Sequence, residues 1–369
     1  MNMTDWVEQI SEGMDAVHAQ WDTFKSHVKK TLGIQDPILV MPYLGYGTPH
    51  KLHLKGRVLE DEGIKLQEEH APVWENLVNM YRRFETDELP AVPLRIWIED
   101  QSPITVMTDD EGFFDAEIAL VQPLTGDRLW HPIQVELLLE EERVVSHFSQ
   151  AEAIVVTAQA EFGVISDIDD TIVHTAATDL LKMITIAYLG NERTRRPFDG
   201  VAAFYQALQQ GRSGQAGNPI FYVSSSAWNM YDLFIKFLEF NDVPKGPIFL
   251  RDIELSLANL LYFDHEAHKR EYIKPILERF PHLPFLLIGD TGQQDAEIYY
   301  QLVQEYPEQI KAIYLRNVTP HNRDRLHQLT VMGEVLKERG VEFLVFDDTA
   351  EAAEHAARHD WMLPSLVEV

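Results

Sequence analysis

The chain has 369 residues, no cysteine and a formal net charge of −28. Its length allows two domains with separate cores, and the lack of thiols excludes disulfides and thiolate metal sites and suits a reducing compartment. The charge argues against a nucleic-acid partner, which needs a basic footprint, and against simple electrostatic docking on an anionic membrane.

The first residues lack the basic-then-apolar pattern of a signal peptide, and no apolar run approaches the roughly 20 residues that cross a bilayer, so a cytoplasmic protein is expected. Residues 4–32 read as an amphipathic helix. Val7, Met14, Trp21 and Val28 recur every seven residues with Ile10, Val17 and Phe24 between them, an a/d stripe. That stripe packs on the protein's own body or forms a homodimer through this helix. Its polar face is mixed in charge, which disfavours a membrane helix.

From residue 36 to 155 the texture becomes β. Short runs at 38–40, 53–59, 94–98, 113–118 and 133–137 are separated by turn-forming residues, with a helical insert at 72–84. Asp109, Gly112 and Phe114 belong to a turn typical of small β-sandwich domains, and an all-β accessory domain is expected. His50, His53 and His70 are too dispersed for a metal site.

Beyond Phe162 strand and helix alternate. Apolar runs at 219–224, 247–250, 284–289, 311–316 and 341–346 are spaced by helical stretches at 200–210, 228–240, 269–280, 295–306 and 328–339, and a last helix covers 350–359. This alternation predicts a parallel sheet with helices on both faces. The expected domains are a helix at 1–35, the β domain at 36–155 and a third domain at 156–369 carrying an insert at 175–198.

The chemistry gathers at strand ends. The run Val164-Ile165-Ser166-Asp167-Ile168-Asp169-Asp170-Thr171-Ile172 puts three acids just after a buried strand. Such a cluster is costly unless something pairs it, and a divalent cation with hard oxygen ligands is the simplest remedy. The bland alternative is an acidic turn capping the next helix. Phe221-Tyr222-Val223-Ser224-Ser225-Ser226-Ala227-Trp228 offers a hydroxyl, Ser224, at a strand's carboxyl end beside free helix amides, a phosphate seat. Here the alternative is a helix N-cap, with Ser226 a good candidate.

In Leu286-Leu287-Ile288-Gly289-Asp290-Thr291-Gly292-Gln293-Gln294-Asp295 two acids straddle a Gly-containing turn. The spacing suits Asp290 as a direct metal ligand, while Asp295 is a second ligand, an outer-shell group or a helix N-cap. Lys269 opens the preceding helix and supplies the positive charge that phosphoryl transfer requires.

The Asp-x-Asp-x-Thr pattern resembles the first motif of haloacid dehalogenase-like phosphatases. That resemblance implies Asp167 as nucleophile, Asp169 as general acid/base and Ser224 as phosphoryl binder. The stretches 165–172, 222–228 and 288–299 are similar to the catalytic domain of the actin-patch phosphatidate phosphatase family, and 47–50 with 54–59 resemble what its bacterial-type members carry upstream. Ala227 stands where proline is expected and Thr291 where serine is usual.

The implied fold class is α/β: a Rossmann-like parallel sheet of the haloacid dehalogenase-like type with a small helical cap, preceded by a long N-terminal helix and an all-β sandwich-like domain. The implied activity is Mg2+-dependent hydrolysis of phosphatidate to diacylglycerol. Mg2+ would sit between Asp167, Asp290 and the backbone carbonyl of Asp169, Ser224 and Lys269 would hold the phosphoryl group, and Thr171, Ser226 and Asp295 would support them.

An apolar helix at 180–189 followed by Arg193, Arg195 and Arg196 reads as a lid with a basic rim for an amphiphilic phosphate, or as a buried cap with a solvated turn. The expected partner is a phosphorylated substrate, a phospholipid, reached by peripheral membrane contact. A phosphatase of soluble phosphomonoesters and a non-enzymatic scaffold are the alternatives.

Overall fold

A run of mostly apolar residues, without polar alternation, must be covered on both faces, and such runs set the frame of the C-terminal half. The structure, a computed structural model, describes residues 38–60, 89–124, 128–139, 144, 146–172, 198–251 and 265–363. Within them β9 (Gly163–Ser166), β10 (Ile220–Ala227), β11 (Ile248–Arg251), β12 (Phe285–Asp290), β13 (Ile310–Arg316) and β14 (Glu342–Phe346) form one sheet in the order β11-β10-β9-β12-β13-β14. All its pairings are parallel.

Successive side chains point to opposite faces of this sheet. Val164, Tyr222, Ile288 and Tyr314 join one core with helices α1 (Val201–Gln210), α2 (Tyr231–Phe240) and α6 (Thr349–Arg358). Ile165, Phe221, Leu287 and Ile313 join the other with α3 (His265–Arg279), α4 (Asp295–Glu305) and α5 (Arg323–Glu338).

The preceding part is one hydrogen-bonded sheet of eight strands: β1 (Ile38–Pro42), β2 (Gly45–Thr48), β3 (Lys51–Glu60), β4 (Pro93–Ile98), β5 (Ile104–Met107), β6 (Phe113–Ala119), β7 (Trp130–Leu137) and β8 (Phe148–Val155). The long β3 pairs with β2 through its first residues and with β1 through its last, while β6 takes its other edge. β2 and β8 are parallel and the remaining pairs antiparallel, so the sheet is mixed.

The two sheets meet through aromatic side chains. Tyr43 stacks on Trp228 at 4.5 Å, Tyr46 packs edge-on against Phe221 and Phe249, and the Tyr231 hydroxyl accepts from the Leu44 amide at 2.6 Å.

This architecture corrects the expected fold class. Strands outnumber helices fourteen to six among the described residues, and the β part is a single curled mixed sheet, not two sheets packed face to face. The expectation of a sandwich rested on short β-type runs and on the turn at Asp109, Gly112 and Phe114, which mark strands and a bend but carry no information on which strands pair. The expected fold class as a whole therefore does not stand. The helix expected at 1–35, the insert at 72–84 and the cap at 175–198 lie outside the described residues, apart from residue 198 itself.

Candidate active site

The order of the parallel sheet reverses at β9: the chain moves outward through β10 and β11, then returns to β12 on the other side. At such a reversal the loops leave in opposite directions and open a crevice beyond the carboxyl ends of the strands. Tyr222 and Ile288 flank Ser166 in register, so Ser224 and Asp290, two residues further on, stand on either side of Asp167.

Lys269, near the start of α3, reaches this crevice and is 2% exposed. Its ammonium donates to Asp167 Oδ1 at 2.7 Å and to Asp295 Oδ1. The other Asp167 oxygen, Oδ2, accepts from Thr171 Oγ1 at 3.3 Å. Asp295 Oδ2 accepts from the backbone amide of Asp290 at 3.1 Å. A side chain at Gly289 would collide with that carboxylate, its Cβ falling 2.5 Å from Asp295 Oδ2. Asp295 is the first residue of α4 and makes no N-cap bond; both its oxygens serve the site instead.

Asp290 Oδ1 accepts from the Gly292 and Gln293 amides at 2.6 and 2.8 Å, which fixes the turn. Ser224 Oγ donates to Asp169 Oδ2 at 2.7 Å and accepts from the Ser226 amide, while Ser226 Oγ lies 3.5 Å from the same Asp169 oxygen. Asp170 turns the chain with φ 55°, a left-handed conformation that a short polar side chain tolerates. The structure thus brings Asp167, Asp169, Thr171, Ser224, Ser226, Lys269, Asp290 and Asp295 together.

Among the described residues, the single cation that contacts this group of four carboxylates leaves a deficit of positive charge. Burial, with Lys269 opposing it and Asp295 and Asp169 adding to it, holds the Asp167 carboxyl well above the usual range. Burial also raises Asp169 against the Ser224 bond, and burial with Asp295 pushes Asp290 up to about 7. Burial alone would lower Lys269, but Asp167 and Asp295 outweigh it and keep the ammonium charged.

Two buried carboxylate oxygens, Asp169 Oδ1 and Asp290 Oδ2, have no hydrogen-bond partner among the described residues, and ligand oxygens of Asp167, Asp290 and Asp295 lie within 4.8 Å of one another. Unsatisfied buried oxygens of this kind fit a hard divalent cation.

Several supporting residues escaped the sequence reading. Arg316, at the end of β13, donates to the Thr171 carbonyl at 3.0 Å and to Thr349 Oγ1 at 2.9 Å, and its guanidinium lies over Phe198 and Phe346. An arginine ending an apolar strand was the available signal. Ser166 Oγ donates to the Asp167 carbonyl at 2.7 Å and meets the Tyr205 hydroxyl at 2.6 Å, holding the loop from below. Ser225, beside the phosphate seat, buries a hydroxyl that has no partner among the described residues.

Residues 162–317 match the family described as "Phosphatidate phosphatase APP1, catalytic domain". The chain is 34% identical over 175 residues to phosphatidate phosphatase APP1 of Saccharomyces cerevisiae, covering 47% of this chain and 29% of the yeast protein. It is 24% identical over 218 residues to an uncharacterized protein of Schizosaccharomyces pombe, covering 58% of this chain and 34% of that one. The chain thus spans about a third of the length of these two relatives. Among solved structures a carbohydrate acetylesterase from Xanthomonas citri aligns over 81% of this chain and 75% of its own, at 10% identity and a TM-score of 0.28, a likeness too slight to carry an argument. All the carboxylates of the crevice, with Ser224 and Lys269, fall inside the matched segment, so the part of the chain that is similar to the phosphatidate phosphatase APP1 catalytic domain is the part that builds the crevice.

Proposed function

We propose that the chain is a Mg2+-dependent phosphatase that hydrolyses phosphatidate to diacylglycerol through an aspartyl-phosphate. The observation that carries this reading is the cluster of buried Asp167, Asp290 and Asp295, whose ligand oxygens lie within 4.8 Å of one another and of which Asp290 Oδ2 has no partner among the described residues, inside the segment that matches the family. Asp167 and Asp290, with the Asp169 backbone carbonyl, would hold Mg2+. When bound, the ion screens the repulsion between the carboxylates and an anionic phosphate and draws charge from the phosphoryl oxygens.

Asp167 attacks phosphorus in line, forming an acyl phosphate as the bond to the lipid oxygen breaks. The Asp169 carboxyl, which burial raises toward its protonated form, gives its proton to the departing alkoxide. Asp169 then takes a proton from water, which attacks the acyl phosphate, freeing inorganic phosphate and regenerating Asp167. Lys269 keeps Asp167 and Asp295 compatible at close range and stands beside the incoming phosphoryl oxygens. Ser224, now donating to Asp169, turns to the phosphate when substrate arrives. Thr171 orients the nucleophile through Oδ2.

The test is phosphate release from phosphatidate in mixed micelles, run beside a panel of soluble monoesters, with Mg2+ and with chelator. Mg2+-dependent release favouring phosphatidate is expected. Release from soluble esters alone refutes the lipid substrate, and release that persists in chelator refutes the metal. Asp167→Asn should abolish turnover with an unchanged circular-dichroism spectrum; measurable turnover refutes its assignment as nucleophile.

A further inference from the structure

A second constellation of ligand atoms lies away from the crevice. Glu342 opens the edge strand β14, where it is paired with Ala312 near the start of β13, whereas Asp290 is paired with Arg316 at the other end. His355 lies in the last turn of α6 and His359 caps its C-terminal end four residues on, and their rings stack at 4.4 Å and 26°. Glu342 Oε2 lies 3.8 Å from His355 Nε2 and 3.7 Å from His359 Nε2. Ligand atoms of a tetrahedral site with bonds of about 2.0–2.1 Å stand about 3.3–3.4 Å apart, so the two Glu342–His pairs need to close by only a few tenths of an ångström, and all three ligand atoms lie within 4.8 Å of one another.

The other ring nitrogen of His355 has a partner as well. His355 Nδ1 is 3.1 Å from the hydroxyl of the buried Tyr314, whose ring also packs edge-on against the imidazole. Metal-binding histidines donate their other ring N–H in this way, which fixes the tautomer and points the free nitrogen at the ion. A cleft of about 440 Å³ between α5 and β14 reaches both Glu342 and His355 and gives an ion a way in.

We propose that Glu342, His355 and His359 form a second metal site, selective for Zn2+ over Mg2+, that staples the edge strand β14 to the helix α6. Two imidazoles and one carboxylate suit a borderline ion such as Zn2+, with water as the fourth ligand, and are a poor set for Mg2+, which prefers oxygen. The consequence is stability rather than chemistry: the ion would tie the outermost strand of the sheet to the helix that covers it.

The experiment is a calorimetric Zn2+ titration of the full chain carrying Asp290→Asn, which weakens the crevice as a competing site, against the same chain with His359→Gln added. His359 is exposed, so its replacement leaves the core intact, and circular dichroism verifies this. Loss of one Zn2+ equivalent, or at least a tenfold weaker affinity, is expected, together with loss of the Zn2+-dependent rise in melting temperature. Tyr314→Phe keeps all three ligands and should weaken Zn2+ by about 10–100-fold through the tautomer. Equal stoichiometry and affinity with and without His359, or no Zn2+-dependent change in the Asp290→Asn chain, overturns the proposal.

Discussion

Replacing Lys269 by Met tests the electrostatic account of the crevice directly. Methionine keeps most of the length and apolar stem of the side chain and deletes only the charge. The ammonium is buried between Asp167 and Asp295, themselves 1% and 0% exposed, so no water replaces it. Breaking a buried ion pair by removing one partner typically costs about 3–5 kcal/mol, because the remaining charge is left uncompensated. Protonation limits this cost. Without the Lys269 charge, which lowers Asp167, its carboxyl rises further above its unfolded value. A carboxyl raised on folding contributes stability below its unfolded pKa and loses it as pH rises through the folded one, so the substitution should cost more at pH 8 than at pH 6.

The assay is urea unfolding in chelator at both pH values for the parent, Lys269→Met, Asp295→Asn and the double variant. We expect about 3–5 kcal/mol lost at pH 8 in Lys269→Met, and a double variant that loses less than the sum of the two. A loss below about 1 kcal/mol at pH 8, or an equal loss at both pH values, would refute the reasoning.

Three further outcomes follow from the same geometry. With Asp290 pushed up to about 7, the metal-free protein should lose stability as pH rises from 6 to 8, by at most about 1 kcal/mol per pH unit. Mg2+ should flatten that slope, and a flat profile in chelator contradicts the charge deficit. Arg316→Leu leaves the Thr171 carbonyl without its buried donor. It should cost about 1–3 kcal/mol in urea unfolding and lower kcat at least tenfold by freeing the loop that carries Asp169; an unchanged kcat argues against loop anchoring. Tyr231→Phe removes the acceptor of the Leu44 amide at the junction of the two sheets. It should cost about 1–3 kcal/mol with kcat unchanged, and a neutral effect on stability shows that the bond is expendable.

Much of the site was legible because its donors are local to strand ends. An apolar run that stops at Asp167 or Asp290 announces a carboxylate just beyond a buried strand, and a hydroxyl after Val223 does the same for Ser224. The two spare oxygens were not legible. They follow from Thr171 and Lys269 engaging Asp167, from amides engaging only one oxygen of Asp290, and from Ser224 engaging only one of Asp169. Arg316 was overlooked because its partner, Thr171, is 145 residues away. The strands β2 and β5, four residues each, carry too little pattern to be recognised alone.

The sequence by itself determined which faces are buried and where chemistry-bearing side chains leave them, since the periods of strand and helix are properties of the local backbone. Only the tertiary structure decided that β9 lies between β10 and β12, that Lys269 crosses from α3 to reach both Asp167 and Asp295, and that the β part closes as one curled sheet instead of two. Those outcomes depend on pairing between distant segments, in which each strand edge offers the same backbone donors and acceptors to any partner. Packing across the whole chain makes the choice, and no single stretch records it.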